Sequence, residues 1–275
     1  MEPAIKWSGS KRTQASQLVN LFPKFDCYYE PFLGGASILY TANPKISICG
    51  DICKPLIQLY KLIQSSPLDI ISEYSKRWEK LKEEGHEFYY KIRERFNKEH
   101  DPQDFLFLTR TCVNGLIRFN DKGDFNNSLH HTRNGIHPVK FEKIIKNWSL
   151  RLKNAKFIHG NYKYSTKTVS EKDFIYLDPP YYYNKDRYYG SINFGEFLNY
   201  LEDLNSRSIK YMLSFDGIVG KNNRIIAIPR HLYKKHLLLK SGSSSFKKVI
   251  DKEIHHVYES VYINYDSKQN LDDYL

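Results

Sequence analysis

Residues 178–181 read Asp-Pro-Pro-Tyr and follow directly on the apolar run Phe174-Ile175-Tyr176-Leu177. A carboxylate, two rigid prolines and an aromatic ring are thus delivered to the end of a buried strand. A planar ring bearing an amino group fits such a place. Asp178 accepts hydrogen bonds from the amino group, and Tyr181 offers a face on which the ring stacks. A rigid strand-end turn is the plainer alternative.

A second segment, Phe32-Leu33-Gly34-Gly35-Ala36-Ser37, follows a strand-like run and opens a helix. Glycines there let the backbone approach a ligand closely, with helix-N-terminal amides directed at it. A tight turn without a ligand is the alternative. Asp51, at the end of the next strand, is placed to accept both hydroxyls of a ribose, or else to cap the helix that follows. The pair favours a nucleoside cofactor, although the usual dinucleotide fingerprint is absent. Nearer the N-terminus, Trp7 can stack on an adenine or a cationic group, and Lys11 can pair with a carboxylate. Packing of an N-terminal arm on the domain explains Trp7 equally well.

The pattern of apolar runs predicts what positions these residues. Strands are expected over 26–33, 45–50, 156–160, 173–177 and 210–215, with two closing strands at 231–240 and 255–264. Helices are expected from Gly34, over 52–63 and over 195–206, and a flexible basic linker over 241–248. Strand, glycine turn, helix, strand and acid in that order mark a doubly wound α/β sheet. Residues 55–154 interrupt it. There 55–64, 67–100, 105–119 and 141–152 have helical periodicity, and the Asn-, Gly- and His-rich stretch 120–138 reads as a hairpin or loop. This block is expected to be an inserted lobe.

The 275 residues carry 42 Lys and Arg against 31 Asp and Glu, a net charge of +11. That balance points to a polyanionic partner. The 22 tyrosines suit stacking on bases and also half-buried strands. Cys27, Cys49, Cys53 and Cys112 match no zinc spacing and read as buried thiols of a reducing compartment, so no metal is expected. No apolar stretch approaches membrane-spanning length, and the N-terminus lacks the apolar core of a secretion signal. A soluble intracellular protein is expected.

The motifs in combination resemble the Dam-like family of DNA adenine methyltransferases. The matching segments are KWSGSK at 6–11, EPFLGG at 30–35, GDI at 50–52, YYKIRERFN at 89–97, VNGLIRFNDKGDFN at 113–126, YLDPPY at 176–181 and ESVYINY at 259–265. Their order is that of the group with its recognition lobe between the glycine and DPPY motifs. The resemblance implies a Rossmann-like, seven-stranded methyltransferase sheet (1–54 and 155–275) carrying a mainly helical DNA-recognition lobe (55–154) with a hairpin near 112–138. It implies methyl transfer from S-adenosylmethionine to the exocyclic N6 of adenine in double-stranded DNA, with base flipping. Trp7, Lys11, Glu30, Phe32, Gly34, Gly35, Asp51, Asn161 and Asp178 would hold the cofactor. Asp178 and the Pro179 carbonyl would draw both amino protons into hydrogen bonds, freeing the nitrogen lone pair; Pro180 would fix the loop and Tyr181 stack on the base.

Expected DNA contacts are Lys6, Arg110, Asn114, Arg118, Asn120, Lys240, Lys247 and Lys248, with Arg118 placed for bidentate readout of guanine. His130, His131, Arg133 and His137 could add phosphate contacts. The chain departs from its relatives at Ala36, in place of a third glycine, at Asn161, in place of an acid, and at Val113, in place of an aromatic. A further departure is Asn127-Ser128-Leu129-His130 in place of Val-Pro-Phe-Gly, which counts against GATC as the target. A cytosine-N4 enzyme, an RNA-directed enzyme and a catalytically inactive DNA-binding regulator are the rival readings. The enzyme is expected to be cytoplasmic, prokaryotic or phage-encoded and monomeric on DNA, either as the modification partner of a cognate restriction endonuclease that acts independently or as a solitary or phage methylase.

Overall fold

In the computed structural model, which describes residues 1–120, 122–180, 192–220, 222–243 and 256–266, a strand over Phe174–Leu177 is buried at every position. That is what a parallel strand covered on both faces requires. It is β4 of a sheet that also contains β1 (Tyr28–Glu30), β2 (Ser47–Asp51), β3 (Ala155–His159), β5 (Lys210–Val219), β7 (Lys235–Ser243) and β8 (His256–Ile263). The order is β3-β2-β1-β4-β5-β8-β7, and a short β6 (Asn222–Asn223) pairs with β5. The run from β3 to β5 is parallel, whereas β8 is antiparallel to both β5 and β7. The chain is therefore mixed α/β, as its pattern predicts. Tyr181, Lys247 and Lys248 lie outside the described residues.

Side chains alternate between the two faces of the sheet, and each face has its own core. Tyr28, Phe174 and Tyr176 join one apolar cluster; Tyr29, Ile175 and Leu177 join the other. The first cluster continues into α3 (Lys54–Ser65), α4 (Pro67–Glu84), α5 (His86–Glu99), α6 (Pro102–Thr111) and α7 (Pro138–Leu152). The second is covered by α8 (Tyr162–Ser165) and α9 (Phe194–Ser206). Two further helices, α1 (Ala15–Asn20) and α2 (Ser37–Ala42), flank the glycine turn.

The interrupting block differs from its periodicity in two places. The helical run 67–100 is two helices, because Gly85 takes φ +64 and its N–H closes α4 on the Leu81 carbonyl. The helix expected over 105–119 stops at Thr111. Asn114 and Gly115 adopt left-handed backbone (φ 56 and 63) in a 3-10 turn, which no continuing helix accommodates. A hairpin follows, with antiparallel bridges Cys112–Leu129 and Phe119–Phe125. The fully buried Asp104 carboxylate binds Arg77 of α4 and Arg95 of α5, so one acid ties three helices. At the far end, β7 begins at Lys235 rather than 231, and 241–243 continue the strand instead of opening the linker.

Candidate active site

The sheet order reverses between β1 and β4, and both strands point their carboxyl ends the same way. In open α/β sheets a ligand crevice forms outside the carboxyl ends at such a switch point. Glu30 ends β1, Asp51 ends β2, and Asp178 follows β4. A cavity of about 230 Å³ opens there, walled by Trp7, the glycine turn, Asp51, Asn161, Asp178 and Glu196 among others.

The glycine turn is shaped by contacts from two sides. Gly34 takes φ +45, and a Cβ on it would stand 2.7 Å from Trp7 Nε1; a Cβ on Gly35 would stand 3.0 Å from Ser10 Oγ. Gly34 must be glycine on both counts, and Gly35 has little room for a side chain because the N-terminal arm lies directly on the turn. Ala36 also has positive φ, 52°, which explains why a third glycine suits that position. Asp51 holds the turn from below. Its Oδ2 accepts the Gly34 N–H at 3.0 Å and its Oδ1 the Cys53 N–H at 2.9 Å. Cys53 is the N-cap of α3, so Asp51 braces the helix start without being its capping residue. Each carboxylate oxygen retains a lone pair for a ribose hydroxyl.

Below Asp178 lies a buried ionic cluster. Lys11 Nζ sits 2.6 Å from Asp178 Oδ1 and 3.1 Å from Glu259 Oε1, and it also donates to the Gly9 carbonyl. Lys11 and Glu259 are buried, and Asp178 is 18% exposed. Burial raises the Asp178 pKa, and the Lys11 ammonium pulls against it. Glu259 is pushed up to about 7 by burial, again against Lys11. Glu30 accepts a hydrogen bond from Tyr28 Oη at 2.9 Å, and burial lifts it to about 8. Two carboxylates, rather than the single one that the sequence suggests, share Lys11.

On the opposite wall Phe32 stacks on Tyr162, with ring centroids 5.4 Å apart. Asn161 caps α8, its Oδ1 accepting the Tyr164 N–H at 2.8 Å. Its carboxamide offers a ligand the NH2 as donor and the remaining Oδ1 lone pair as acceptor, where an acid would offer acceptors alone.

The expected DNA contacts separate into different groups. Arg118 is exposed on the hairpin, and its Nε donates to Asn126 Oδ1 at 2.9 Å. Asn114 is exposed at the left-handed turn. Lys6 lies against Gly115, whose added Cβ would meet the lysine stem at 2.4 Å. Lys240 is exposed on β7. Two of the expected contacts are engaged within the protein. Arg110 is buried, and its guanidinium donates to the carbonyls of Pro3 and Ala4. Its guanidinium is committed to the N-terminal arm. Asn120 is consumed by the hairpin turn, where its Oδ1 accepts the N–H groups of Lys122 and Asp124. His137 caps α7 and packs its ring edge-on to Trp78, while His131 and Arg133 are exposed.

Glu259 had no role in the sequence reading. The signal was an acid inside the strand run Glu259-Ser260-Val261-Tyr262-Ile263, because a charge is placed in a core strand only where a partner offsets its desolvation. Tyr162 and Glu196 also line the cavity and were missed.

A family model described as D12 class N6 adenine-specific DNA methyltransferase matches residues 7–261. A type II methyltransferase of Methanocaldococcus jannaschii, M.MjaIII, is 34% identical over 203 residues, covering 66% of this chain and 69% of that one. The DNA adenine methylase of Escherichia coli K12 is 30% identical over 184 residues, 64% of each chain. That of Serratia marcescens is 28% identical over 181 residues, 64% of this chain and 66% of its own length.

Proposed function

The chain belongs to the D12 class of N6-adenine-specific DNA methyltransferases, and we propose on that premise that it transfers a methyl group from S-adenosylmethionine to the exocyclic N6 of an adenine in duplex DNA. The observation that carries this reading is the position of Asp178 at the switch point, in the wall of a cavity that also holds Trp7, the glycine turn and Asp51. The residues fit the methyl donor. Gly34 and Gly35 let Trp7 and Ser10 of the N-terminal arm close on the turn beside the cavity, and Asp51 has lone pairs for the ribose. Glu30 and Asp178 set carboxyl groups beside the place of a cation. When bound, S-adenosylmethionine supplies a methyl group already activated on a sulfonium sulfur.

The protein's share is positioning and electrostatics. Adenine N6 is a poor nucleophile because its lone pair is delocalised into the ring. Asp178 Oδ2 and the Pro179 carbonyl accept the two amino protons, which favours a more tetrahedral nitrogen. Lys11 fixes the other carboxylate oxygen, so Asp178 cannot rotate away. Pro179 and Pro180 hold the loop. Tyr181 stacks on the base after it leaves the duplex. Trp7, Phe32 and Asn161 hold the cofactor with Asp51.

Residues 55–154 form the recognition lobe in this reading, and the hairpin presents Arg118 and Asn114 to base edges while Lys6 and Lys240, with Lys247 and Lys248, neutralise phosphates. The net charge of +11 supports such a partner. Among the described residues no helix is long and apolar enough to cross a membrane. The test is direct. Duplex DNA incubated with the protein and S-adenosylmethionine is digested to nucleosides; N6-methyladenosine is expected. N4-methylcytosine, or no methylated base from protein that binds DNA, overturns the reading.

A further inference from the structure

We propose that Glu259 takes up, through Lys11, the proton that the adenine amino group must lose on methylation. The inference rests on the N6-methylation reading above. As the bond from N6 to the methyl carbon forms, the carbon–sulfur bond breaks and its electron pair leaves with sulfur. The nitrogen then carries a positive charge and one proton too many. Asp178 is the first acceptor, and its other oxygen already touches Lys11 Nζ at 2.6 Å. Lys11 Nζ also lies 3.1 Å from Glu259 Oε1. Transfer of one ammonium proton to Glu259, with the Asp178 proton replacing it on Lys11, balances the step. The end state is an ionised Asp178, a charged Lys11 and a neutral Glu259.

Three observations favour this end point. Among the described residues the buried Glu259 Oε2 accepts no hydrogen bond of normal geometry, with Gln14 the nearest polar side chain acting on it, so the carboxylate is poorly solvated as an anion and well suited to carry a proton. Its tendency to hold a proton, with a pKa of about 7, is that of a group that exchanges one near neutrality. The surroundings leave Lys11 as its cation. Gln14, preceding α1, Asp178, following β4, and Tyr176 of β4 also act on it, Glu30 of β1 acts on Asp178 and Lys11, and the buried Asp216 sits in the β5 bulge across the ladder. Its ladder partner on β7 is the apolar Leu239.

The experiment is Glu259→Gln, which keeps an oxygen acceptor for Lys11 but cannot take a proton. Single-turnover methyl transfer by the wild type is expected to fall about tenfold per pH unit below the Glu259 pKa. In the variant that limb disappears and the rate on the wild-type plateau drops by about tenfold or more. A variant that keeps the limb, or that matches the wild-type rate, overturns the proposal. Infrared difference spectra of the wild type across one turnover give a readout that does not depend on the variant folding. One carboxylate is expected to convert to a buried carboxylic acid, and no such conversion overturns the proposal. Wild-type protein that forms no N6-methyladenosine would instead sink the functional reading on which this one rests.

Discussion

Lys11 Nζ lies 2.6 Å from Asp178 Oδ1, although 167 positions separate the two residues. Lys11 belongs to an N-terminal arm that touches several parts of the proposed machinery. Trp148 of α7 donates its indole N–H to the Glu2 carbonyl, Arg110 of α6 holds Pro3 and Ala4, and Lys6 lies on Gly115 of the hairpin turn. Trp7 lies on the glycine turn. The arm thereby joins the recognition hairpin, the cofactor cavity and the reacting carboxylate within ten residues of chain. A buried ion pair is weak evidence for stability, because desolvation offsets its attraction. Its use here is to orient Asp178.

Asp178→Ala removes the acceptor for the amino protons and leaves Lys11 with Glu259 as its carboxylate partner. Methyl transfer is expected to fall by about 10³-fold or more, while DNA binding changes little. Single-turnover kinetics beside equilibrium DNA titration checks both parts. Wild-type activity in this variant is incompatible with the proposed chemistry.

Gly34→Ala forces a Cβ to 2.7 Å from Trp7 Nε1 at a backbone φ of +45°. A cost of about 1–3 kcal/mol in stability is expected from the strained backbone, with weaker binding of the methyl donor as Trp7 is displaced. Ala36→Gly is the control. Its φ of 52° already favours glycine, so stability should shift by less than about 1 kcal/mol. Denaturant unfolding and equilibrium dialysis with S-adenosylmethionine separate the two variants.

The sheet and its switch-point acids were legible because strand runs, glycines and carboxylates leave local marks in sequence. The placement of Asp51 at the end of the second strand followed from that order, whereas its bond to the Gly34 N–H did not. Long-range pairings leave no such mark. Arg110 sits within the recognition segment, and nothing local distinguishes an arginine that binds DNA from one that binds the carbonyls of Pro3 and Ala4. Glu259 was quoted in a motif without a role, since its partner Lys11 is at the other end of the chain. Asn120 and Asp124 were readable as a turn, because Asn readily bonds its own following backbone.

Arg110 and Arg118 are expected to behave oppositely. Arg110→Ala unties the N-terminal arm and leaves the Pro3 and Ala4 carbonyls without their donor, at a cost of roughly 3 kcal/mol or more of stability. Sequence preference in the surviving protein should be unchanged. Arg118→Ala, on an exposed hairpin position, should leave unfolding unaltered and relax specificity at one base pair by roughly 1–3 kcal/mol. Affinity measured against a panel of single-base-pair variants of the target site decides the matter. Uniform weakening across the panel would make Arg118 a phosphate contact.

DNA affinity should fall steeply with salt, because lysine and arginine contacts to phosphates release condensed counterions. The slope of log affinity against log salt reports the number of such contacts, and Lys240→Ala should reduce it by about one. A slope unchanged in that variant removes Lys240 from the interface.

Glu30 sets a stability trend with pH in the ligand-free protein. Its pKa rises from the ordinary 4.5 to about 8, chiefly through burial, with Asp178 adding repulsion. Between those values the native state holds a proton that the unfolded state has lost. Stability therefore falls as pH rises through this window, by up to roughly 1.4 kcal/mol per pH unit for a full proton. The contribution is complete below about 4.5 and gone above about 8. Glu30→Gln keeps an acceptor for the Tyr28 hydroxyl and cannot ionise, so its unfolding free energy should fall less between pH 5 and pH 8 than that of the wild type. Denaturant titrations of both proteins at the two pH values give the comparison. Parallel losses would mean that Glu30 is ionised in the native state across the whole range, and that the cation beside it is strong enough to overcome its burial.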